Sequence, residues 1–219
     1  MSLVNFSVQP DRILVAVDSI GGNSKFRMHV SKMFPIPHAN MLVCGRGSMA
    51  FLARVTQVCG LLSGIDEARK FFPDELPKLL RYVRTEAILH AILSLGRFGG
   101  FDLSIFDAQE IYVFGWSDED GEFTALQFQK HAGARRFTLE DDLAEGVAPK
   151  LEREFPPLDS PETMMRVAGE QVRNAMREGA NIPIGGRLVV AELTRDACKV
   201  RCAGDINFDH MYMYRVPSK

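Results

Sequence analysis

The chain opens with two short apolar runs, residues 3–8 and 13–17, on either side of Gln9-Pro-Asp-Arg12. Runs of strand length around a Pro-Asp pair predict a β-hairpin. A third apolar segment follows Ser31-Lys32, and a fourth, residues 41–44, runs into Gly45-Arg-Gly47. From Ser48 the period changes. Phe51, Val55, Val58 and Leu62 recur on one helical face, which predicts a helix over residues 48–62. Asp74 is a suitable cap for a second helix over residues 74–94, with Pro77 in its first turn and Leu76, Leu79, Leu80, Val83, Ala87 and Ala91 inward. Gly96-Arg-Phe-Gly-Gly100 ends it.

Strand-length segments then return. Residues 110–116 and 122–129 flank Asp118-Glu-Asp-Gly121, a strong turn signal, and predict a second hairpin. Residues 138–154 read as a helix weakened by Gly146 and Pro149, with Glu140-Asp-Asp142 as its charged first turns. Ser160-Pro161 starts another helix, which carries Met165, Ala168, Val172 and Met176 on one face through Glu178. Residues 187–193 and 198–202 form a last hairpin across Thr194-Arg-Asp196. The tail from Gly204 carries no clear pattern beyond the apolar Met211-Tyr-Met-Tyr214. Strands grouped with strands, and helices with helices, argue against a doubly wound parallel sheet. Two antiparallel sheets covered by helices fit the order, within one domain spanning residues 1–219.

Composition narrows the chemistry. Hydrophobic residues make up 46% and charged residues 25% of 219 positions, an ordinary globular balance. A net charge of −2 gives no reason to expect nucleic acid or an anionic membrane surface. No apolar run reaches 18 residues, so no membrane span is expected, and no basic segment followed by an apolar one marks a secretory signal. Cys44, Cys59, Cys198 and Cys202 lack CxxC spacing and read as buried thiols of a reducing cytoplasm. His29, His38, His90, His131 and His210 show no ligand spacing, so neither metal nor cofactor is expected.

The N-terminal segment carries the chemical signal. Ser2 lies one residue from the start, the second strand ends in Val17-Asp18-Ser19, Lys32 precedes an apolar strand, and Gly45 opens a strand-to-helix turn. A serine that becomes a chain terminus can be nucleophile and, through its α-amino group, base. An α-amine with a pKa of roughly 8 suits that work near neutral pH. Removal of Met1 would free the amine; a retained Met1 would leave Ser2 without one.

This arrangement resembles the proteasome β-subunit family of N-terminal-nucleophile (Ntn) hydrolases, whose members are threonine-type peptidases. Sixteen positions separate Ser2 from Asp18, the spacing the family uses between nucleophile and aspartate, and the likeness runs over residues 2–62. Ile184-Gly-Gly-Arg-Leu-Val-Val-Ala191 looks like the family's late glycine pair and strand. The resemblance implies a four-layer αββα sandwich and hydrolysis of a peptide or small amide. It assigns Ser2 as nucleophile, Asp18 and Lys32 as the groups that tune it, and the N–H of Gly45 as the oxyanion donor.

Several positions depart from the pattern, among them the family's mid-chain serine near a Gly-rich turn, where the chain reads Lys130-His-Ala-Gly133. The acidic and serine positions before the late glycines are Asn181 and Ile184, and the arginine after Val-Asp-Ser is Ile20. The core residues persist while their supports do not, so a non-catalytic structural or assembly protein of the same family is the alternative. Leu52 and Cys59 on the first helix, and Ile88 and Ile92 on the second, lie off the inward stripes. They predict subunit contacts, a homo-oligomer and, by resemblance, a ring.

Overall fold

The computed structural model describes residues 2–22, 27–93, 103–152, 154–177 and 184–206. The Gly-rich turn at 96–100, Asn181 and the apolar tail at 211–214 lie outside them. In chain order the elements are β1 (Val4–Val8), β2 (Ile13–Asp18), β3 (Ile20–Gly22), β4 (Arg27–His29), β5 (Met33–Ile36), β6 (Met41–Arg46), α1 (Met49–Cys59) and α2 (Ile65–Leu93). They continue with β7 (Gln109–Ser117), β8 (Glu122–Lys130), β9 (Thr138–Glu140), β10 (Glu145–Ala148), α3 (Pro161–Arg177), β11 (Gly186–Leu193) and β12 (Cys198–Ile206). The chain is thus a mixed α/β protein with three α-helices and three antiparallel sheets among the described residues. The strand orders are β10-β1-β2-β11-β12, β5-β6-β7-β8-β9 and the small pair β3-β4.

Side-chain alternation distributes the core. Along β2, Ile13, Val15 and Val17 join a cluster with Leu42, Cys44, Tyr112 and Phe114, so this cluster draws on both large sheets. Leu14 and Ala16 point the other way and meet Met164, Val167, Ala168 and Val172 of α3. Val43, Ile111, Val113 and Phe128, from the second large sheet, pack on Phe51, Val55, Phe72 and Leu76 of α1 and α2.

Both N-terminal hairpin strands, the strand pair 110–116/122–129 and the last hairpin form as the pattern predicts, the last strand running on to Ile206. Ser48 caps α1, its hydroxyl accepting from Phe51 N–H. Four readings are corrected. Asp74 does not start the second helix: α2 begins at Ile65 and passes through Pro73 and Pro77. An interior proline costs about 3 kcal/mol. Here Ile65, Ala68 and Phe72 extend the buried stripe by two turns, and each large apolar side chain so buried returns about 1.5–3 kcal/mol. Asp66 also fastens the helix start to the β7–β8 turn, accepting from Ser117 Oγ and the N–H groups of Asp118 and Glu119.

Residues 138–154 are not a helix. They supply the edge strands β9 and β10, so Glu140-Asp-Asp142 is no helical first turn. Gly146 sits opposite Phe6, where a Cβ would lie 2.1 Å from the ring. Leu52 and Cys59 are not spare: both are buried in the core around α1. On α3 the buried face is Met164, Val167, Ala168, Gln171 and Val172, while Met176 is exposed. Gln171 is buried because its amide accepts from Asn5 Nδ2 at 2.8 Å and donates to the Pro149 carbonyl at 2.8 Å. A polarity pattern hides such a residue.

Candidate active site

The end of β2 delivers Asp18 to a fully buried position. Its Oδ1 accepts from Leu3 N–H at 2.8 Å and from Lys32 Nζ at 2.8 Å. Its Oδ2 accepts from Gly185 N–H at 3.1 Å. The late glycine pair is therefore part of the site, and its backbone explains why. Gly185 has φ 140° and Gly186 φ 79°, and a Cβ on Gly186 would lie 2.7 Å from Ile20. Only glycine lets this turn approach the end of β2 so closely.

Lys32 immediately precedes β5 and is 3% exposed. Burial pulls its pKa below the ordinary lysine value; the Asp18 carboxylate opposes that shift, and the nearby Arg46 guanidinium adds to it. Ser2 is buried at the start of the chain. Its carbonyl accepts from Arg46 Nε at 2.8 Å. Arg46 in turn donates from one nitrogen, Nη1, to both Glu110 oxygens at 2.8 and 2.9 Å across the β6–β7 register. Tyr112 donates to Glu110 at 3.0 Å. Both polar groups of the Ser2–Leu3 peptide are thus held, its carbonyl by Arg46 and its N–H by Asp18.

Ser2 and Lys32 line one small cavity of about 60 Å³, together with Ile20, Gly21, Gly22, Gly47 and Met49. The structure therefore brings Ser2, Lys32 and Asp18 together, with Asp18 behind the lysine. Gly45 is not part of the lining. It lies within β6, where a Cβ would be 2.6 Å from the Glu110 carbonyl oxygen, so its glycine character serves strand packing. Gly47 lines the cavity instead, at φ 121°, with Gln109 Oε1 only 2.5 Å from where a Cβ would stand. Gln109 is buried and accepts from Ser48 N–H at 2.9 Å, which fixes the turn into α1.

The resemblance named Gly45 within the Gly45-Arg-Gly47 turn, whereas Gly47 is the glycine that lines the cavity. Positive φ decides it, and that is a property of the folded turn. Arg46 and Glu110 were missed; their pairing depends on a register between strands 64 positions apart in sequence. Ile184 is buried in the core under α3, and Ile20 lines the cavity. Among the described residues no group of three or more His, Cys, Asp and Glu side chains is placed to hold a metal ion.

No protein-family model matches the chain, and no curated protein matches it in sequence.

Proposed function

We propose that this chain is a proteasome-like Ntn amidohydrolase or peptidase, with Ser2 as nucleophile once a cut before it frees its amine. The observation that carries this reading is the shared cavity of Ser2 and Lys32, backed by the Asp18–Lys32 contact at 2.8 Å. The fold proposed with it is one αββα domain over residues 1–219. Its support is that α1 and α2 pack on one large sheet, α3 on the other, and the remaining core draws on both sheets.

In this mechanism Ser2 Oγ attacks the amide carbonyl carbon while its proton passes to the Ser2 α-amine. The tetrahedral oxyanion takes an N–H from the turn, and Gly47 replaces Gly45 as the proposed donor because Gly47 lines the cavity. The amine proton then moves to the departing nitrogen as the C–N bond breaks. Water hydrolyses the resulting ester by the same route. Lys32 supplies an amine of depressed pKa beside the nucleophile, and Asp18 holds it in place. No protein cofactor or metal takes part in this scheme.

A second reading has its own observation. Asp18 satisfies Leu3, Lys32 and Gly185 at once, and Ser2 is buried. The same contacts can act as a lock that closes the β1–β2 end of a non-catalytic structural or assembly protein. A β-lactone probe and intact mass separate the two. The enzyme adds one probe at Ser2 and loses it in Ser2→Ala; the structural protein is not labelled.

The proposed setting is the cytoplasm. Its support is four free thiols; Cys44 and Cys59 are buried as expected, whereas Cys198 is half-buried and Cys202 exposed, which corrects the reading of all four as buried. No helix among the described residues is long and apolar enough to cross a membrane.

A further inference from the structure

A cavity of about 340 Å³ lies between the middle of α2 and the ends of β7 and β8. It shares no lining residue with the Ser2 cavity. Its walls are of two kinds. Pro77, Leu80 and Phe106 form an apolar side, and Leu80 and Phe106 are almost fully buried beneath it. Arg81, Arg84, Lys130 and Arg135 bring four cations to the rim, against the single carboxylate of Asp107.

The chain as a whole carries a net charge of −2, so this convergence is not a sample of a basic surface. Four arginines elsewhere face carboxylates: Arg12 with Glu192, Arg46 with Glu110, Arg54 with Glu86, and Arg69 with Asp120. None of the four rim cations has a carboxylate partner among the described residues. Lys130 is aimed by backbone, donating to the Asp107 carbonyl at 2.7 Å. Arg81 and Arg84 are exposed and three positions apart on a helix, so their guanidinium groups reach the same side. Four cations held together repel one another, and an anion between them relieves that cost.

We propose that this cavity binds a small phosphomonoester with an apolar or aromatic body. The phosphate oxygens take bidentate contacts from the arginines, and the body lies on Leu80 and Phe106. The volume falls at the small end of the roughly 300–1,000 Å³ seen for ligand cavities, which suits a compact molecule over a polymer.

The test uses the full chain with phenyl phosphate and inorganic phosphate as probes, titrated by calorimetry at fixed ionic strength. Phenyl phosphate binds at least tenfold more tightly than inorganic phosphate, because the ring adds apolar contact. Arg84→Ser and Arg81→Ser each weaken phenyl phosphate about tenfold, and Arg12→Ser, on the far sheet, does not. Ser2→Ala leaves binding unchanged, which separates this cavity from the proposed catalytic one. Both rim positions are exposed, so melting curves of the variants stay near the parent's. Equal affinity for the two probes overturns the proposal. So does full binding by Arg81→Ser/Arg84→Ser, or loss of binding in Ser2→Ala.

Discussion

Lys32 Nζ lies 2.8 Å from Asp18 Oδ1, and neither side chain has appreciable contact with solvent. The two ends of this pair are not equivalent. Asp18 keeps two backbone N–H donors, from Leu3 and Gly185, if the lysine is removed. Asp18 is the sole hydrogen-bond acceptor seen for Lys32 among the described residues.

That asymmetry orders the variants. Stranding one charge of a buried pair costs about 3–5 kcal/mol. Asp18→Asn is expected near the top of that range and Lys32→Met well below it. The double variant Asp18→Asn/Lys32→Met recovers part of the loss, because neither charge is then left alone. Urea unfolding of the three variants measures this; equal losses in both single variants would mean that the backbone donors to Asp18 contribute little.

The two glycines of the turn separate packing from chemistry. Gly45→Ala drives a Cβ against the Glu110 backbone oxygen, which cannot rotate away. A loss of about 1–3 kcal/mol in stability is expected from such overpacking, with labelling of Ser2 per folded molecule unchanged. Gly47→Ala meets the movable Gln109 side chain but is strained by φ 121° beside the cavity. It is expected to abolish probe labelling at a comparable cost in stability. Labelling retained by Gly47→Ala and lost by Gly45→Ala would restore Gly45 as the donor.

Much of this architecture could be read from pattern. Residues 3–8 and 13–17 are short apolar runs around a Pro-Asp turn, and local chemistry suffices to pair them. Asp18, Lys32 and the Gly185-Gly186 pair stood out only through the family resemblance and its spacing; by local pattern alone Asp18 reads as a turn residue and Lys32 as a solvated strand-end lysine. What stayed hidden depends on distant partners. β10 pairs with β1 across 138 or more positions, and nothing within residues 138–154 announces an edge strand. Pro73 looks like a helix boundary until Phe72 and Ile65 are seen filling the core below it. Leu52 and Cys59 lie off the stripe that one sheet face covers, and α2 lies against α1 and encloses them.

Alkaline pH is expected to unfold the protein through its buried thiols. Burial raises Cys59 from its ordinary 9.0 up to about 12, and raises Cys44 further. The unfolded chain then releases these protons first. Stability is fully present below pH 9.0 and falls above it, by about 1.4 kcal/mol per pH unit for each thiol. Lys32 acts with the opposite sign, since its depressed pKa makes stability climb with pH up to 10.5. Above pH 9.0 two thiols outweigh one amine, so the net slope there is downward, while below pH 9.0 only the rise from Lys32 remains. Urea midpoints at pH 7.5, 9.0 and 10.0 read it. Cys59→Ala is expected to flatten the slope by one thiol's share and Lys32→Met to steepen it; a slope unmoved by Cys59→Ala would place the alkaline loss elsewhere.

Assembly is the last expectation, and the structure changes where it should be sought. Leu52 and Cys59 are interior, so they leave the case for subunit contacts. The last three turns of α2 strengthen it: Tyr82 and Leu89 are each 53% exposed, Ile92 63% and Leu93 74%. Single exposed apolar residues are normal on a surface, but four along one stretch of helix are a candidate contact face. We expect a homo-oligomer of closed symmetry that covers this stretch. Light scattering at micromolar concentration should give a mass above the monomer's. Leu89→Lys/Ile92→Lys should return it to the monomer with its melting temperature unchanged in the dilute limit. A parent chain already monomeric at these concentrations would leave any hydrolase activity outside an enclosed chamber, and would favour a small amide over a polypeptide as substrate.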